Sequence, residues 1–179
     1  MLINGFEIGP RKNLIFADLS EANLSGANLA ESNLTSAFLF NINLAGANLS
    51  HAHLSGARMV GADLQRANLA FAQMIGTSLF SANLERADLT GANLVGAFLF
   101  DAKLGSSKLS GANLTGANLM SADLSNADLS GANLVGADLD GANLIGANID
   151  GANLFGANIS NATMPDGSVV PDATVYIVA

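Results

Sequence analysis

The chain has no cysteine and no tryptophan, one tyrosine, three prolines and only seven basic residues. Without cysteine there are no disulfides, no thiolate metal sites and no cysteine nucleophile. Aromatics make up 6% of a chain that is 50% hydrophobic, so its apolar content is mostly Leu and Ala. Side chains that small favour a narrow, repetitive core over a conventional globule. Bases are outnumbered by fifteen acids, for a net charge of −8. Residues 1–108 hold eight acids and all seven bases, and residues 109–179 hold seven acids and no base. Direct nucleic-acid binding, which needs a basic footprint, is therefore not expected. No apolar run approaches the roughly 18 residues of a membrane-spanning helix, because Asn, Asp, Ser or Gly interrupts constantly. The start, "MLINGFEIGPRKN", lacks a basic stretch followed by an apolar one. No secretory leader is expected, and a cytoplasmic location is.

What the chain does have is a period. "GANLIGANIDGANLFGANIS", residues 141–160, says nearly the same five letters four times. From Leu14 to Met164 every fifth residue is Leu, Met or Ile, with no insertion or deletion. Two places earlier stands Ala from Ala17 to Ala162, except at Ser32, Ile42, Thr77 and Ser107. Asn or Asp most often lies between them, and Gly, Ser or a charged residue follows two after the Leu.

A five-residue period suits neither a helix nor a long strand. On a helix the Leu would advance about 140° per pentad and smear around every side. In a short extended piece, however, Ala and Leu point the same way, two residues apart. Gly and Asn supply corners, where a positive φ is cheap or tolerable. Short strands joined by corners close into a coil, and coils stack about 4.8 Å apart with their backbones paired. The chain is a β-solenoid on this reading, and Ile42, a bulky residue in the Ala column, should displace the local backbone.

"ANLSGANLAESNLTSAFL" and "GANLTGANLMSADLSNADLSGANL" resemble the pentapeptide-repeat family, with its A(D/N)LXX signature. The resemblance implies an all-β, right-handed, four-sided β-helix with four pentads per coil. It also implies inward Ala and Leu, and outward residues on either side of Leu. About seven to eight coils would form a rod of roughly 36 Å. Three segments are expected: an N-terminal cap over 1–13, the solenoid over 14–164, and a C-terminal cap or tail over 165–179. Open ends of such a stack need covering. In the tail, Val175, Tyr176, Ile177 and Val178 could instead pair with another copy.

Little in the sequence points to catalysis, and no catalytic, cofactor-binding or metal-ligating residue is assigned. A filled solenoid presents flat faces rather than a pocket of converging polar groups. His51 and His53 are the only histidines. One coil away they would meet Glu31, Asn33, Phe71 and Gln73, a poor metal shell, so both read as surface residues. The Asn/Asp column reads as structural side-chain ladders, because calcium-binding solenoids use a nonapeptide Gly/Asp-rich repeat instead.

The outer surface is less uniform. Steps of twenty from Phe40 reach Val60, Phe80, Phe100 and Met120, and the slot before Leu on that face holds Phe38, Arg58 and Phe98. These eight residues form a candidate interaction face for a protein partner or a second copy, since contiguous exposed apolar patches usually have a reason. The same column is also consistent with plain stacking along a ladder. A non-enzymatic interaction or scaffolding role is therefore expected, with a homodimer through this face or an end cap as one form of it. The alternative is an acidic DNA mimic: some members of the resembling family bind type II topoisomerases as dimers. Asp123, Asp128, Asp138, Asp140 and Asp150 are the candidate acidic surface for that role.

Overall fold

The computed structural model describes residues 2–171. It begins with a hairpin of two short antiparallel strands, β1 (Leu2–Ile3) and β2 (Phe6–Glu7), in which Ile3 faces Phe6. Asn4 and Gly5 both have positive φ, 49° and 82°, the requirement of a two-residue type I′ turn. Ile3 and Phe6 pack half-buried against the core, and Asn4 Nδ2 donates to the Asp18 carbonyl at 2.9 Å.

From Asn13 onward the described residues form no long strand. Each pentad contributes one parallel bridge, joining a residue to the one twenty places on: Asn13 to Asn33, Asp18 to Phe38, and so to Asn143 with Thr163. Twenty residues therefore close a coil, with four corners. The four faces are named here by their first leucines: Leu14, Leu19, Leu24 and Leu29. Leu and Ala columns line the interior, and those from Leu34 to Leu144 are almost wholly inaccessible to solvent. Each buried Leu contributes about 1.5–3 kcal/mol.

The pentad Asn83–Ala87 shows why these residues make this shape. Five N–H groups need acceptors, and four find them on the main chain. Leu84 donates to Lys103 O one coil on (2.7 Å), and Arg86 to Gly105 O (3.0 Å). Asn83 donates back to Ala62 O (2.9 Å), and Ala87 closes the corner onto Leu84 O (3.0 Å). The fifth donor, Glu85 N–H, points out at the corner and is taken by Asn83 Oδ1 at 3.2 Å. This bond from residue i+2 to an Asx side chain recurs at every Asn or Asp before an inward Leu or Ile, from Asn13 and Asp18 to Asn153 and Asn158.

The Asn/Asp column is therefore chiefly a set of local turns. Coil-to-coil ladder bonds, expected to dominate, occur at Asn93 to Gln73, Asn143 to Asp123, Asn148 to Asp128 and Asn158 to Asp138. A carbonyl oxygen one carbon beyond Cβ reaches its own chain two residues on more readily than a neighbour about 4.8 Å away.

Corners demand a positive φ at their second central residue, the mark of a type II turn. Glycine supplies it at Gly26, Gly46 and many other corners, but Phe16, His51, Arg66, Phe71 and Arg86 hold φ between 55° and 59°. In the Ala column, Ile42 stretches its corner bond to Leu39 O to 3.4 Å, against 3.0 Å at Ala37. Ser32 and Thr77 satisfy their hydroxyls on Gly9 O and Leu54 O, each at 2.8 Å. Ser107 Oγ is buried without a partner among the described residues.

After Met164 the chain turns back, and Val169 pairs antiparallel with Thr163. Ile149 and Leu154 in the last coil are only half-buried. The tail residues Val175, Tyr176, Ile177 and Val178 lie outside the described residues. Among those described, no helix is long and apolar enough to cross a membrane.

Two expectations follow. Leu84→Asp, which buries a lone charge in a column with no polar partner, should abolish cooperative thermal unfolding followed by far-UV circular dichroism. A soluble variant melting like the parent would refute the inward Leu column. Ser107→Ala should keep or raise the unfolding free energy, by up to about 1 kcal/mol, because an unsatisfied hydroxyl is removed. Urea titration would show it, and a clear loss would mean that Oγ has a partner.

Candidate interaction face

The Leu19 face brings together all eight residues of the aromatic stripe. Phe38, Arg58 and Phe98 precede their leucine or methionine, and Phe40, Val60, Phe80, Phe100 and Met120 follow theirs. The rings do not form one continuous ladder. Phe38 and Phe40 lie 6.4 Å apart, with the Arg58 guanidinium 5.0 Å from the Phe38 centroid. Phe80 stacks on Phe98 at 5.9 Å and meets Phe100, tilted, at 6.2 Å. Val60 and Ser78, smaller side chains, lie between the two groups. Mutual contact does not hide the second group: Phe80, Phe98 and Phe100 remain 37%, 45% and 39% exposed.

The backbone beneath the stripe differs from the rest of the rod. The residues before Leu or Met on this face are Phe38, Arg58, Ser78 and Phe98 in four successive coils. None carries an Asx oxygen. Among the described residues, no side chain accepts from the N–H of Phe40, Val60, Phe80 or Phe100, whereas Ser20, Met120, Asp140 and Ser160 have theirs bound by Asp18, Asn118, Asp138 and Asn158. The other three faces interrupt the Asx series for at most two successive coils, at His53 and Gln73 on the Leu14 face.

A second apolar column, missed in the sequence, borders the first. On the Leu14 face the slot after Leu or Met holds Ile75, Val95, Thr115, Val135 and Phe155, with Ile75 45% exposed. Along each coil it is separated from the Leu19 face by a corner glycine, Gly76 to Gly156, and an inward Ala or Thr. Steps of twenty from Ile75 would have found it, but β-branched residues stand out less than phenylalanine in a Leu-rich chain.

The five candidate acids are not brought together. Asp138 and Asp140 are on the Leu19 face, Asp123 is on the Leu24 face, and Asp128 and Asp150 are on the Leu29 face. The Ser130 hydroxyl, then the Ser130 N–H, holds the Asp128 carboxyl below its ordinary range, and Asn148 adds to this. Most remaining cations gather elsewhere: Arg66 and Arg86 stack at the corner between the Leu24 and Leu29 faces, flanked by Lys103 and Lys108. Lys108 pairs loosely with Asp88 at 3.9 Å.

The two histidines border a shallow depression with Glu31, Phe71 and Gln73. His51 stacks on the Phe71 ring at 5.3 Å, and that ring extends over Gly91 in the next coil. Among the described residues, no three His, Cys, Asp or Glu side chains converge as a metal site would require.

The comparisons with known proteins agree with the repeat geometry. The family model for pentapeptide repeats matches in eight copies, over residues 13–41, 42–79, 82–120, 99–134 and 122–161. HetL, a pentapeptide repeat protein involved in heterocyst differentiation regulation from the cyanobacterium Nostoc sp. strain PCC 7120, is 37% identical; the match covers 88% of this chain and 82% of HetL, with a TM-score of 0.43. A trypsin-treated form of QnrB1, a plasmid-mediated fluoroquinolone resistance protein, shares 18% identity over 89% of this chain and 84% of its own, with a TM-score of 0.69. No curated protein matches. The chain belongs to the pentapeptide-repeat family, and its fold is that family's right-handed, four-sided β-helix.

Proposed function

We propose that this protein is a non-enzymatic interaction module that holds a protein partner against its Leu19 face. The observation that carries the reading is the run of four coils in which Phe38, Arg58, Ser78 and Phe98 replace the Asx residue. An Asx oxygen caps a corner donor and helps the chain fold. Forgoing it four times running, under a column of half-exposed phenylalanines, costs local order and gains nothing inside the rod. Binding supplies a reason, because aromatic and Arg side chains are the usual anchors of interfaces. Catalysis has less support: the interior is filled, and His51 is engaged by Phe71.

Replacing Phe40, Phe80 and Phe100 together with Ser leaves the Leu and Ala columns intact. The triple variant should melt within a few degrees of the parent, yet fail to retain from its own cell lysate the protein that the parent retains. An unfolded variant would mean that the rings belong to the core. A folded one that retains the same protein would place the contact elsewhere.

A DNA-mimic role on a type II topoisomerase is the second reading, and the likeness to QnrB1 bears on fold alone. The spread of Asp123, Asp128, Asp138, Asp140 and Asp150 over three faces gives no continuous acidic stripe for it. Micromolar protein should therefore leave gyrase supercoiling unchanged. Inhibition that salt weakens, and that Asp→Asn changes at 123, 128, 138 and 140 relieve, would favour the mimic instead.

A further inference from the structure

Acids close both ends of the aromatic stripe. Asp18 and Glu21 lie beside its N-terminal end, and Asp138 and Asp140 sit one coil beyond Met120. Asp101 lies on the corner beside Phe100. The face and its two corner columns hold one base, Arg58, and its guanidinium lies over the Phe38 ring. An apolar middle of about 19 Å, from Phe40 to Met120, is thus set within a negative frame of about 29 Å, from Asp18 to Asp138.

We infer that the partner bound here is an amphipathic helix of about nineteen residues, apolar along its middle and carrying Lys or Arg at both ends. This rests on the proposed interaction face and supplies its chemistry. A second copy of this chain does not fit. Antiparallel rods would set Asp18 and Glu21 against Asp138 and Asp140, and parallel rods would set each acidic end against itself. An added β-strand does not fit either, since strand addition needs an open sheet edge. Here the main chain is committed to bonds between coils, such as Leu79 N–H to Phe98 O at 2.7 Å. Where the N–H of Phe40, Val60, Phe80 or Phe100 is open, the carbonyl of the same residue already accepts from Glu21, Asn41, Gly61 or Ser81, so no strand edge of alternating donors and acceptors is offered. Recognition falls to side chains, and between the two ring groups Val60 continues the apolar column beside Arg58.

The test uses the full chain and two labelled synthetic peptides of about nineteen residues. Both carry the same leucine-lined helical face; one ends in lysines and the other in glutamates. Fluorescence anisotropy should show the lysine-ended peptide binding about tenfold tighter, an advantage that salt removes. Phe80→Ser, Phe98→Ser and Phe100→Ser together should abolish binding of either peptide. Asp18→Asn, Asp138→Asn and Asp140→Asn together should erase only the preference. At 18 and 138 Asn keeps the Oδ1 acceptor, as Asn118 and Asn158 do on this same face, so the fold is preserved. Asp123→Asn, Asp128→Asn and Asp150→Asn, on other faces, should change nothing.

Several results would overturn the inference. Equal loss of preference with the off-face acids would mean attraction to the whole rod. Equal binding of both peptides, lost in the phenylalanine variant, would remove the charge rule while leaving the interaction face standing. No binding of either peptide would remove the helix. A dimer in sedimentation equilibrium that the phenylalanine variant splits would make the occupant a second copy.

Discussion

The bond between each coil and the next governs this molecule. Three of the five N–H groups in a pentad are committed to coils above and below, at 2.7–3.0 Å in the pentad around Leu84. A fourth closes the corner, so one donor per pentad is left for a side chain. That arithmetic explains the signature better than any propensity does. Leu and Ala occupy the two inward positions because space behind a corner is tight: Ser32 and Thr77 fit with their hydroxyls bonded to main-chain carbonyls, and Ile42 is buried at the cost of a stretched turn. Asn or Asp occupies the slot that reaches the remaining donor, and glycine the slot that needs positive φ. Everything else is unconstrained by the fold.

That freedom is where function enters. A slot that normally completes the hydrogen bonding can be given up when the orphaned N–H faces water, because solvent then takes the bond. The rod therefore tolerates Phe38, Arg58, Ser78 and Phe98 in sequence without losing its interior. Surface and core are nearly independent. Few folds separate the two so cleanly, since in a globule most side chains serve both.

Much of this was legible in the residues alone. The strict five-residue step from Leu14 to Met164 shows the inward columns, and steps of twenty, once four pentads make a coil, assemble the Phe40 column. Less visible was the purpose of Asn and Asp. Read as a column they imply ladders, whereas their oxygens turn back on their own chain, and only the full set of donors reveals this. The hairpin at Asn4–Gly5 carries a strong local turn signal, yet beside so regular a repeat the segment read only as a cap. The Ile75 column was hidden because Ile, Val and Thr are ordinary strand residues. The acids misled in another way: the second part of the sequence carries them without any base, but a coil distributes the five candidate acids over three faces.

One property of the corner-and-coil register reaches beyond this chain. Adding or removing a single residue would turn leucines outward, and selection would see the damage at once. Adding a whole pentad is different. Leu would still meet Leu and Ala would still meet Ala, while everything downstream turned by a quarter revolution about the rod axis. Phe80 and Phe100 would then look out at right angles to Phe40, on a rod whose interior had hardly changed. In this architecture the surface keeps phase with a counter that the core does not read, so a gene can lose its message while its product still folds.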